Sequence, residues 1–384
     1  MEQTMKNDMT KMTENKTTNV QTAASSGLEG IVAADTALSR VDGEAGRLII
    51  AGQDLPDLVA SSTFEGTTAK LWQTAGRSET ADDVKEQIGR ARVEAFKQVP
   101  TLLDAATGLT VTEALRVGLS LLPDEHPMPA HVRLVGAMPV FVAALARHEQ
   151  GQETIAPDAS AGHAQDYLRM LHGEEQDAQT VIAMDAYFST ASDHGMNAST
   201  FTARVVASTD AGQVSSILAA LCALKGPLHG GAPGPVLDML DEIGTEENIE
   251  PWLRAAVLGG ERLMGFGHRI YRVRDPRADV LGPQVERLSG NHQERIAFAR
   301  EVETTAHAVL KELKPHRPLD TNVEFYTALV LEAIGIPRAA FTPTFAIGRV
   351  AGWTAHVMEQ ETAARLIRPS ARYVGTVPDD LQVA

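Results

Sequence analysis

The sequence is poor in cysteine, and this shortage excludes several classes of protein. A single cysteine, Cys222, among 384 residues rules out an internal disulfide framework and any cysteine-rich metal site. Cys222 lies in the apolar run Ile217 to Leu224, which predicts a small buried side chain rather than a reactive thiol. The histidines are dispersed, and none is spaced with acids on one helix face, so no metal is predicted. One cysteine also fits a reducing, cytoplasmic location.

Long apolar segments and a basic surface are also missing. No apolar stretch approaches the roughly 18 residues that span a bilayer, and the N-terminus lacks the apolar core of a signal peptide. The formal net charge is −16, and no basic stripe is present, which argues against a surface for nucleic-acid phosphates. The sequence therefore predicts a soluble protein that binds neither a membrane nor nucleic acid.

Helix-forming patterns dominate what is present. Aromatic residues make up only 5% of the chain, alanine and leucine recur, and apolar residues repeat at spacings of three or four. Residues 1–24 are polar, mixed in charge and without periodicity, which predicts a disordered tail. Two short segments, Ile31 to Ala34 and Arg47 to Ile50, are candidates for small strands. The predicted fold class is mainly α.

Two loops in the second half of the chain each carry a histidine between glycines. His229 follows a helix that Gly226 and Pro227 should end, and His268 follows Gly265-Phe266-Gly267. Glycine-lined turns let a ligand approach the backbone closely. A histidine in one such loop is more often ordinary than catalytic, but two loops of the same kind are less easily dismissed.

A cluster of arginines follows the second histidine loop. Arg272, Arg274 and Arg277 supply fixed cationic donors that suit carboxylates and phosphates. A charge run is usually only a solvated face, so the cluster alone does not decide between a binding site and a surface. In a chain this acidic, however, an anionic ligand requires arginines that are gathered locally.

Taken together, these segments resemble the citrate synthase family, closest to its shorter bacterial and archaeal type. The resemblance covers nearly the whole chain and consists of separate motifs in the family's order. They are Leu28-Glu29-Gly30-Ile31, the run Asp193 to Thr200, both histidine loops, Asp275-Pro276-Arg277, the run Thr321 to Tyr326, the run Phe341 to Phe345, the run Gly352 to His356, and Ile367-Arg368-Pro369.

The resemblance implies a two-domain helical architecture. A large helical domain would comprise residues 25–221 and 328–384, and a smaller helical domain would comprise residues 222–327 inserted within it. The cleft between the two would hold the active site. The family's members are homodimers, so the resemblance also implies a homodimer.

The implied reaction condenses acetyl-CoA with oxaloacetate and hydrolyses the citryl thioester to citrate and CoA. His229 would hydrogen-bond the thioester oxygen, His268 would polarise the keto carbonyl of oxaloacetate, and Glu324 would remove the methyl proton. Acetyl-CoA is a co-substrate here, and no permanently bound cofactor is expected.

Substrate binding is likewise implied by the resemblance. Arg277, Arg349 and Arg368 would bind the carboxylates of oxaloacetate, with His194 as a further contact. Arg368 would cross from the partner subunit. Arg272 matches a position that contacts the CoA phosphates.

The sequence departs from the family pattern at the catalytic carboxylate, where the family has aspartate and this chain has Glu324. A competing interpretation makes Glu324 part of a capping box with Thr321 at a helix start. Three alternatives to citrate synthase therefore stay open: a 2-methylcitrate synthase that uses propionyl-CoA, a non-catalytic paralogue, and a citryl-CoA lyase.

Overall fold

The computed structural model describes residues 26–28, 30–226, 229, 233–268, 270–288, 292–317, 319–376 and 378. The predicted disordered tail lies outside these residues. By its internal contacts the chain divides into two units, of which residues 36–367 form one. The described residues before Thr36 and after Ile367 belong to the other unit. Every strand and α-helix of the described chain belongs to the first unit.

Helices build almost all of this unit, which confirms the mainly α class. Many begin at polar N-caps that the sequence supplies: Thr80 and Thr110 each form a capping box, and Asn197 caps with its side-chain oxygen. The α-helices of the described residues are α1 (Leu55–Ser61), α2 (Phe64–Thr74), α3 (Ala81–Phe96), α4 (Val99–Ala105), α5 (Val111–Ser120), α6 (Ala130–Glu149), α7 (His163–His172), α8 (Ala178–Ala191), α9 (Ala198–Ala207), α10 (Gly212–Leu224), α11 (Pro233–Ile243), α12 (Ile249–Leu258), α13 (Pro276–Arg287), α14 (Gln293–Leu313), α15 (Val323–Ile334) and α16 (Phe341–Ala363).

One small antiparallel sheet precedes the helices. Its strands are β1 (Ser39–Asp42), β2 (Arg47–Ile50) and β3 (Gln53–Asp54), paired in that order. The predicted strand at Arg47 to Ile50 is confirmed. The predicted strand at Ile31 to Ala34 is wrong, because this segment is irregular, and Val32 is 81% exposed. Its apolar residues suit a strand, but among the described residues no strand pairs with it to form a ladder.

Helix α6 is the centre of the core. Every residue from His131 to Arg147 is buried, and α3, α5, α7 and α16 pack against it. Contrary to the sequence prediction, α6 is long and apolar enough to cross a membrane by length and composition. Because 94% of its most apolar window is buried inside the protein, it is a core helix rather than a membrane span.

Glycine allows α3 and α6 to approach closely. A Cβ atom built on Gly136 of α6 would lie 2.5 Å from the Cβ of Ala91 and 2.9 Å from the carbonyl oxygen of Ile88. Both neighbours lie on α3, whose buried face repeats at helical spacing through Val84, Ile88 and Ala91. The backbone of α6 at Gly136 therefore lies directly against α3, and the contact leaves no room for a methyl group.

The predicted burial of Cys222 is wrong, because its side chain is exposed. Helix α10 turns Ile217, Leu221 and Leu224 toward the core. Cys222 follows Leu221 by one residue, which is about 100° around a helix, so it lies on a different face. The apolar run predicted the helix correctly but not which of its faces is covered within one subunit.

The predicted domain boundaries fall inside helices. The boundary at residues 221 and 222 lies within α10, and the boundary at residues 327 and 328 lies within α15. Both helices run through these positions without interruption. The division into a large and a small domain stays a prediction.

We expect Gly136→Ala to lower the thermal unfolding temperature by a few degrees. Overpacking a dense helix contact costs about 1–3 kcal/mol, and here part of the clash is with backbone. Gly66→Ala in α2 is the matched control, since its Cβ would meet nothing closer than 3.4 Å. Differential scanning calorimetry of both variants tests this, and equal unfolding temperatures would show that α3 and α6 can separate without cost.

Candidate active site

The backbone of α9 fixes the protonation of His229. The N–H of Ser199 donates to Nε2 of His229 at 3.1 Å. An amide N–H can only donate, so Nε2 must accept, and the ring proton of the neutral imidazole lies on Nδ1. Burial, assisted by the charge of Arg349, lowers the pKa of His229 to about 4. The ring is therefore neutral near pH 7 and offers an Nδ1–H donor.

Ser199 is itself held by its neighbours. Its hydroxyl lies 2.8 Å from Nε2 of His229 and 2.7 Å from Oδ1 of Asn197, and it accepts from the indole N–H of Trp353 at 3.1 Å. Asn197 caps α9, so the helix start and the histidine share one set of hydrogen bonds. The N-terminus of α9 thus helps to set the position of His229.

His268 has the opposite tautomer. The N–H groups of Ile270 and Tyr271 donate to its Nδ1 at 3.0 and 3.1 Å, which leaves the proton of a neutral ring on Nε2. Nε2 lies 3.2 Å from Nη2 of Arg277. With the proton on Nε2, both groups are donors and the contact between them is unfavourable, and an oxygen acceptor that takes a hydrogen bond from each would relieve it.

His194 packs against the second histidine loop. Its ring lies 5.8 Å from that of His268, and its Nε2 lies 3.1 Å from the hydroxyl of Tyr271. Burial lowers the pKa of His194 well below the usual range, and Arg277 and Arg349 add to the effect. His194 is therefore a neutral, buried group within the electrostatic range of both arginines.

Asp275 connects Arg277 to the start of α15. Arg277 donates through Nε and Nη2 to the two carboxylate oxygens at 3.0 and 2.8 Å. The same carboxylate caps α13 through the N–H of Arg277 at 3.0 Å and accepts the N–H of Val323 at 3.2 Å. Burial opposes ionisation, but Arg277 nevertheless holds the pKa of Asp275 below its usual value. One ionised carboxylate thus fixes a guanidinium and two helix ends.

Glu324 is not part of a capping box. Asn322 is the N-cap of α15 and accepts the N–H of Glu324 at 2.9 Å, while the hydroxyl of Thr321 donates to Glu303. The hydroxyl of Thr321 therefore bonds to α14 instead of capping α15. The interpretation of Glu324 as part of a capping box with Thr321 is wrong. Within the described part of the chain, the carboxylate of Glu324 accepts no hydrogen bond. It is half-buried.

The environment of Glu324 raises its basicity. Burial raises the pKa of its carboxyl to about 7, against the opposing charge of Arg277, while the negative charge of Asp275 contributes to the increase. A carboxylate with a pKa near the working pH can remove a proton from carbon and release it again. Together with the lack of a hydrogen-bond partner, this suits a general base.

The loop of His268 and the start of α15 are bonded directly to each other. The N–H of Gly267 donates to the carbonyl of Asp320 at 2.8 Å, and the N–H of Asn322 donates to the carbonyl of Gly265 at 2.9 Å. The side-chain amide of Asn322 also donates to the carbonyl of Gly267 at 2.7 Å. The backbone therefore sets the distance between His268 and the helix that carries Glu324.

A cluster of hydrogen bonds around Glu303 of α14 also holds the start of α15. Glu303 accepts from the hydroxyls of Thr321 and Tyr326 and pairs with Arg274 at 3.3 Å. Although burial opposes it, hydrogen bonds from His307 and these hydroxyls lower the pKa of Glu303 to about 2. Arg274, one of the three clustered arginines, is thus used within the protein.

Arg349 is a buried cation that lies within the electrostatic range of Asp193 and Glu324 without direct contact. Its side chain is 2% exposed, its Nε donates to the carbonyl of Ala191, and its guanidinium stacks on Phe345 at 4.7 Å. Among the described residues, no carboxylate forms an ion pair with it. Burial lowers its pKa only to about 10, so it stays charged. An unpaired buried charge is costly, and an anionic ligand would remove that cost.

The structure brings six of the eight predicted residues into one region: His194, His229, His268, Arg277, Glu324 and Arg349. Arg272 is exposed. Arg368 is exposed and belongs to the other unit of the chain.

Three supporting residues were not predicted as part of the site. Ser199 and Asp275 lie within motifs that carry the resemblance, and the N-cap position of Asp275 was a usable signal. Tyr271 had no sequence signal, because its role depends on the approach of His194 from a distant part of the chain.

Comparison with known proteins agrees with this arrangement. A family model described as the citrate synthase C-terminal domain matches residues 27–370. The citrate synthase of Haloferax volcanii is 35% identical in an alignment of 370 positions that covers 91% of this chain and 95% of its own. Citrate synthase 2 of Bacillus subtilis is 36% identical over 92% of this chain and 96% of its own. A 2-methylcitrate synthase of Mycobacterium tuberculosis is 34% identical over 91% of this chain and 90% of its own.

Solved structures give the same result. The citrate synthase of Thermotoga maritima superposes with a TM-score of 0.81 and 32% identity over 92% of this chain and 96% of its own. The citrate synthase of Thermoplasma acidophilum, in a ternary complex with carboxymethyl-CoA and oxaloacetate, gives 0.82 and 28% identity over the same shares. Because the matches in sequence and in structure extend over nearly the whole chain, the protein belongs to the citrate synthase family.

Proposed function

We propose that the protein condenses acetyl-CoA with oxaloacetate and hydrolyses the resulting thioester to citrate and CoA. The observation that carries the proposal is the carboxylate of Glu324, which has no hydrogen-bond partner among the described residues and a pKa near 7. It lies within the electrostatic range of Arg277 and Arg349. The names of the relatives, and the ligands of the Thermoplasma structure, support the same reaction.

Oxaloacetate would bind first to the two buried arginines. Arg349 supplies the unpaired charge, and Arg277 is held by Asp275 with part of its guanidinium toward His268. Bidentate arginine contacts fix a carboxylate in orientation as well as position. The keto oxygen would then accept the Nε2–H of His268, and His194 would contact the same substrate as a neutral group.

Glu324 would remove a proton from the methyl group of acetyl-CoA. The electron pair of the broken C–H bond moves toward the thioester oxygen, which accepts the Nδ1–H of His229. A preorganised donor of this kind contributes about 10²- to 10³-fold to the rate, and a positioned general base contributes about 10²- to 10⁴-fold. His229 suits this role because its tautomer is fixed before the substrate arrives.

The enol carbon then attacks the keto carbon of oxaloacetate and forms the new C–C bond. The developing alkoxide accepts a hydrogen bond from the Nε2–H of His268, and the neighbouring Arg277 stabilises the negative charge. Water hydrolyses the citryl thioester and releases CoA as the thiol. Arg272, exposed beside this loop, would contact the CoA phosphates, and acetyl-CoA acts as a co-substrate rather than as a bound cofactor.

A homodimer is part of the proposal. Helix α10 is apolar on more than its core face, since Leu218 and Ala219 are only partly buried and Cys222 is exposed. A second subunit would cover this surface, and Arg368 would reach the oxaloacetate of the partner's site. The free thiol of Cys222 supports a reducing, cytoplasmic location.

We expect thiol release from acetyl-CoA in the presence of oxaloacetate, and a loss of about 10²-fold or more in kcat for Glu324→Gln. The amide keeps the shape but cannot accept the proton. Glu332→Gln, on the same helix but paired with Arg295 at the surface, is the matched control and should keep its rate.

Propionyl-CoA in the same assay separates the alternatives. Faster turnover with propionyl-CoA would make the protein a 2-methylcitrate synthase, as the Mycobacterium relative is named. No turnover with either thioester, by a folded protein that binds oxaloacetate, would indicate a non-catalytic paralogue.

The rate should depend on pH through Glu324. Because burial raises its pKa to about 7, the ionised base is lost as the pH falls below 7 rather than below 4.5. We expect kcat/KM for acetyl-CoA to fall about tenfold per pH unit below this value. His229, with a pKa of about 4, stays neutral in this range. A flat profile between pH 5 and 8 would contradict the role of Glu324 as base.

Hybrid dimers test whether Arg368 acts across the interface. Glu324→Gln and Arg368→Ala chains, each inactive as homodimers, should recover about a quarter of the wild-type activity when they are co-expressed. Half of the dimers would then be hybrids, and each hybrid would contain one site with Glu324 from one chain and Arg368 from the other. No recovery in purified hybrid dimers would place both residues in the same subunit's site.

A further inference from the structure

The turn between β1 and β2 is built to bring its backbone close to another segment. The side chain of Asp42 accepts the N–H of Ala45 at 3.0 Å and closes the turn, and Gly46 has a left-handed φ of 62°. Gly43 and Gly46 flank the tip of this hairpin. Neither carries a side chain, so the backbone of residues 42–46 is open to contact.

This hairpin tip packs directly on residues 270–274. The N–H of Arg272 donates to the carbonyl of Gly43 at 2.9 Å. A Cβ atom on Gly43 would lie 2.4 Å from the carbonyl oxygen of Ile270, and one on Gly46 would lie 2.6 Å from Cγ2 of Val273. The two segments therefore touch at van der Waals distance with no space for a methyl group.

Residues 270–274, which contact the hairpin tip, hold the ring of His268 and precede Arg277 in the chain. The N–H groups of Ile270 and Tyr271 fix the tautomer of His268. The side chains of Ile270 and Val273 are 45% and 44% exposed, so the segment buries little apolar surface of its own apart from Tyr271. Contact with the hairpin is thus a main support for the peptide groups that orient His268.

The first strand of the same hairpin holds the segment of His194. The hydroxyl of Ser39 donates to the buried carboxylate of Asp193 and accepts the N–H of Gly195 at 3.0 Å. Gly195 has a left-handed φ of 60°, and a Cβ there would lie 3.3 Å from Cγ2 of Val41. β1 therefore contacts the residues on both sides of His194.

We propose that the β1–β2 hairpin positions the keto-acid half of the active site, with Ser39, Gly43 and Gly46 as positioning residues. The hairpin contacts the supports of His194 and of His268 and sets their spacing, so that the two rings and Tyr271 form one surface for the substrate. The inference rests on the proposed function for the identity of that substrate, oxaloacetate.

The same geometry predicts which substrate is affected. His229 bonds to Ser199, which Asn197 and Trp353 hold, and among the described residues these contacts do not involve the hairpin tip at Gly43 and Gly46. Asn197 also bonds the carbonyl of Gly195, which β1 contacts, so the test variants are placed at the tip. A displaced tip should therefore weaken binding of the keto acid and leave binding of the thioester unchanged. A merely structural defect would not separate the two substrates in this way.

Gly46→Ala and Gly52→Ala form a matched pair for the test. Both glycines lie in turns of the same sheet and have left-handed φ values of 62° and 80°, so alanine brings the same kind of backbone strain to both. Only Gly46 faces another segment, because a Cβ on Gly52 would meet nothing within 4 Å. Gly43→Ala, which collides with the backbone of Ile270, is the second test variant.

We expect Gly46→Ala and Gly43→Ala to raise the KM for oxaloacetate and its calorimetric Kd about tenfold or more. The KM for acetyl-CoA, measured at saturating oxaloacetate, should stay within about twofold of wild type. Gly52→Ala should change neither constant, even if its unfolding temperature falls as far as that of Gly46→Ala.

The inference is wrong if Gly46→Ala behaves like Gly52→Ala, or if the KM values for both substrates rise together. A wild-type protein without turnover would instead overturn the proposed function, and calorimetric titration of the same variants with oxaloacetate would still decide the inference. A wild-type protein that does not bind oxaloacetate would overturn both.

Discussion

The site depends on the buried carboxylate of Asp275. It accepts from the guanidinium and the N–H of Arg277 and from the N–H of Val323, so it fixes the cation that would hold the substrate and the helix that carries the base. Breaking a buried pair of this kind costs about 3–5 kcal/mol, because the remaining charge is uncompensated. Burial is the main cause of the raised pKa of Glu324, and the negative charge of Asp275 adds to it. The position of the site and part of its basicity therefore share one origin.

Amide N–H groups then determine where the two histidine protons lie. Ser199 donates to Nε2 of His229, while Ile270 and Tyr271 donate to Nδ1 of His268, so the two rings hold their protons on opposite nitrogens. Backbone donors cannot reverse their role as a hydroxyl can, and both rings are therefore preorganised as donors. This arrangement suits a reaction in which negative charge develops on two oxygens in turn, first on a thioester and then on a keto group.

Much of this arrangement could be predicted from sequence because its signals are local. Glycines before His229 and His268, and the motifs that surround Arg277 and Arg349, lie within short segments whose order along the chain is informative. The rest depended on contacts between distant segments. The cap of α15 is Asn322 rather than Thr321 because α14 engages the Thr321 hydroxyl, and no local pattern records that contact. The face of α10 that carries Cys222 was misjudged for the same reason.

The same contacts determine how the longer side chain of Glu324 can be accommodated. The backbone at the start of α15 is held by Asp275, by the carbonyl of Gly265 and by the cap of Asn322, so the position of the Glu324 main chain is fixed. The carboxylate can reach its position only through its own torsions, and a displacement of about 1 Å can cost 10²-fold in rate. Because no described residue hydrogen-bonds this carboxylate, its torsions stay free to adjust to the bound thioester. Under the proposed function, this freedom would let a glutamate act as base where the family resemblance places an aspartate.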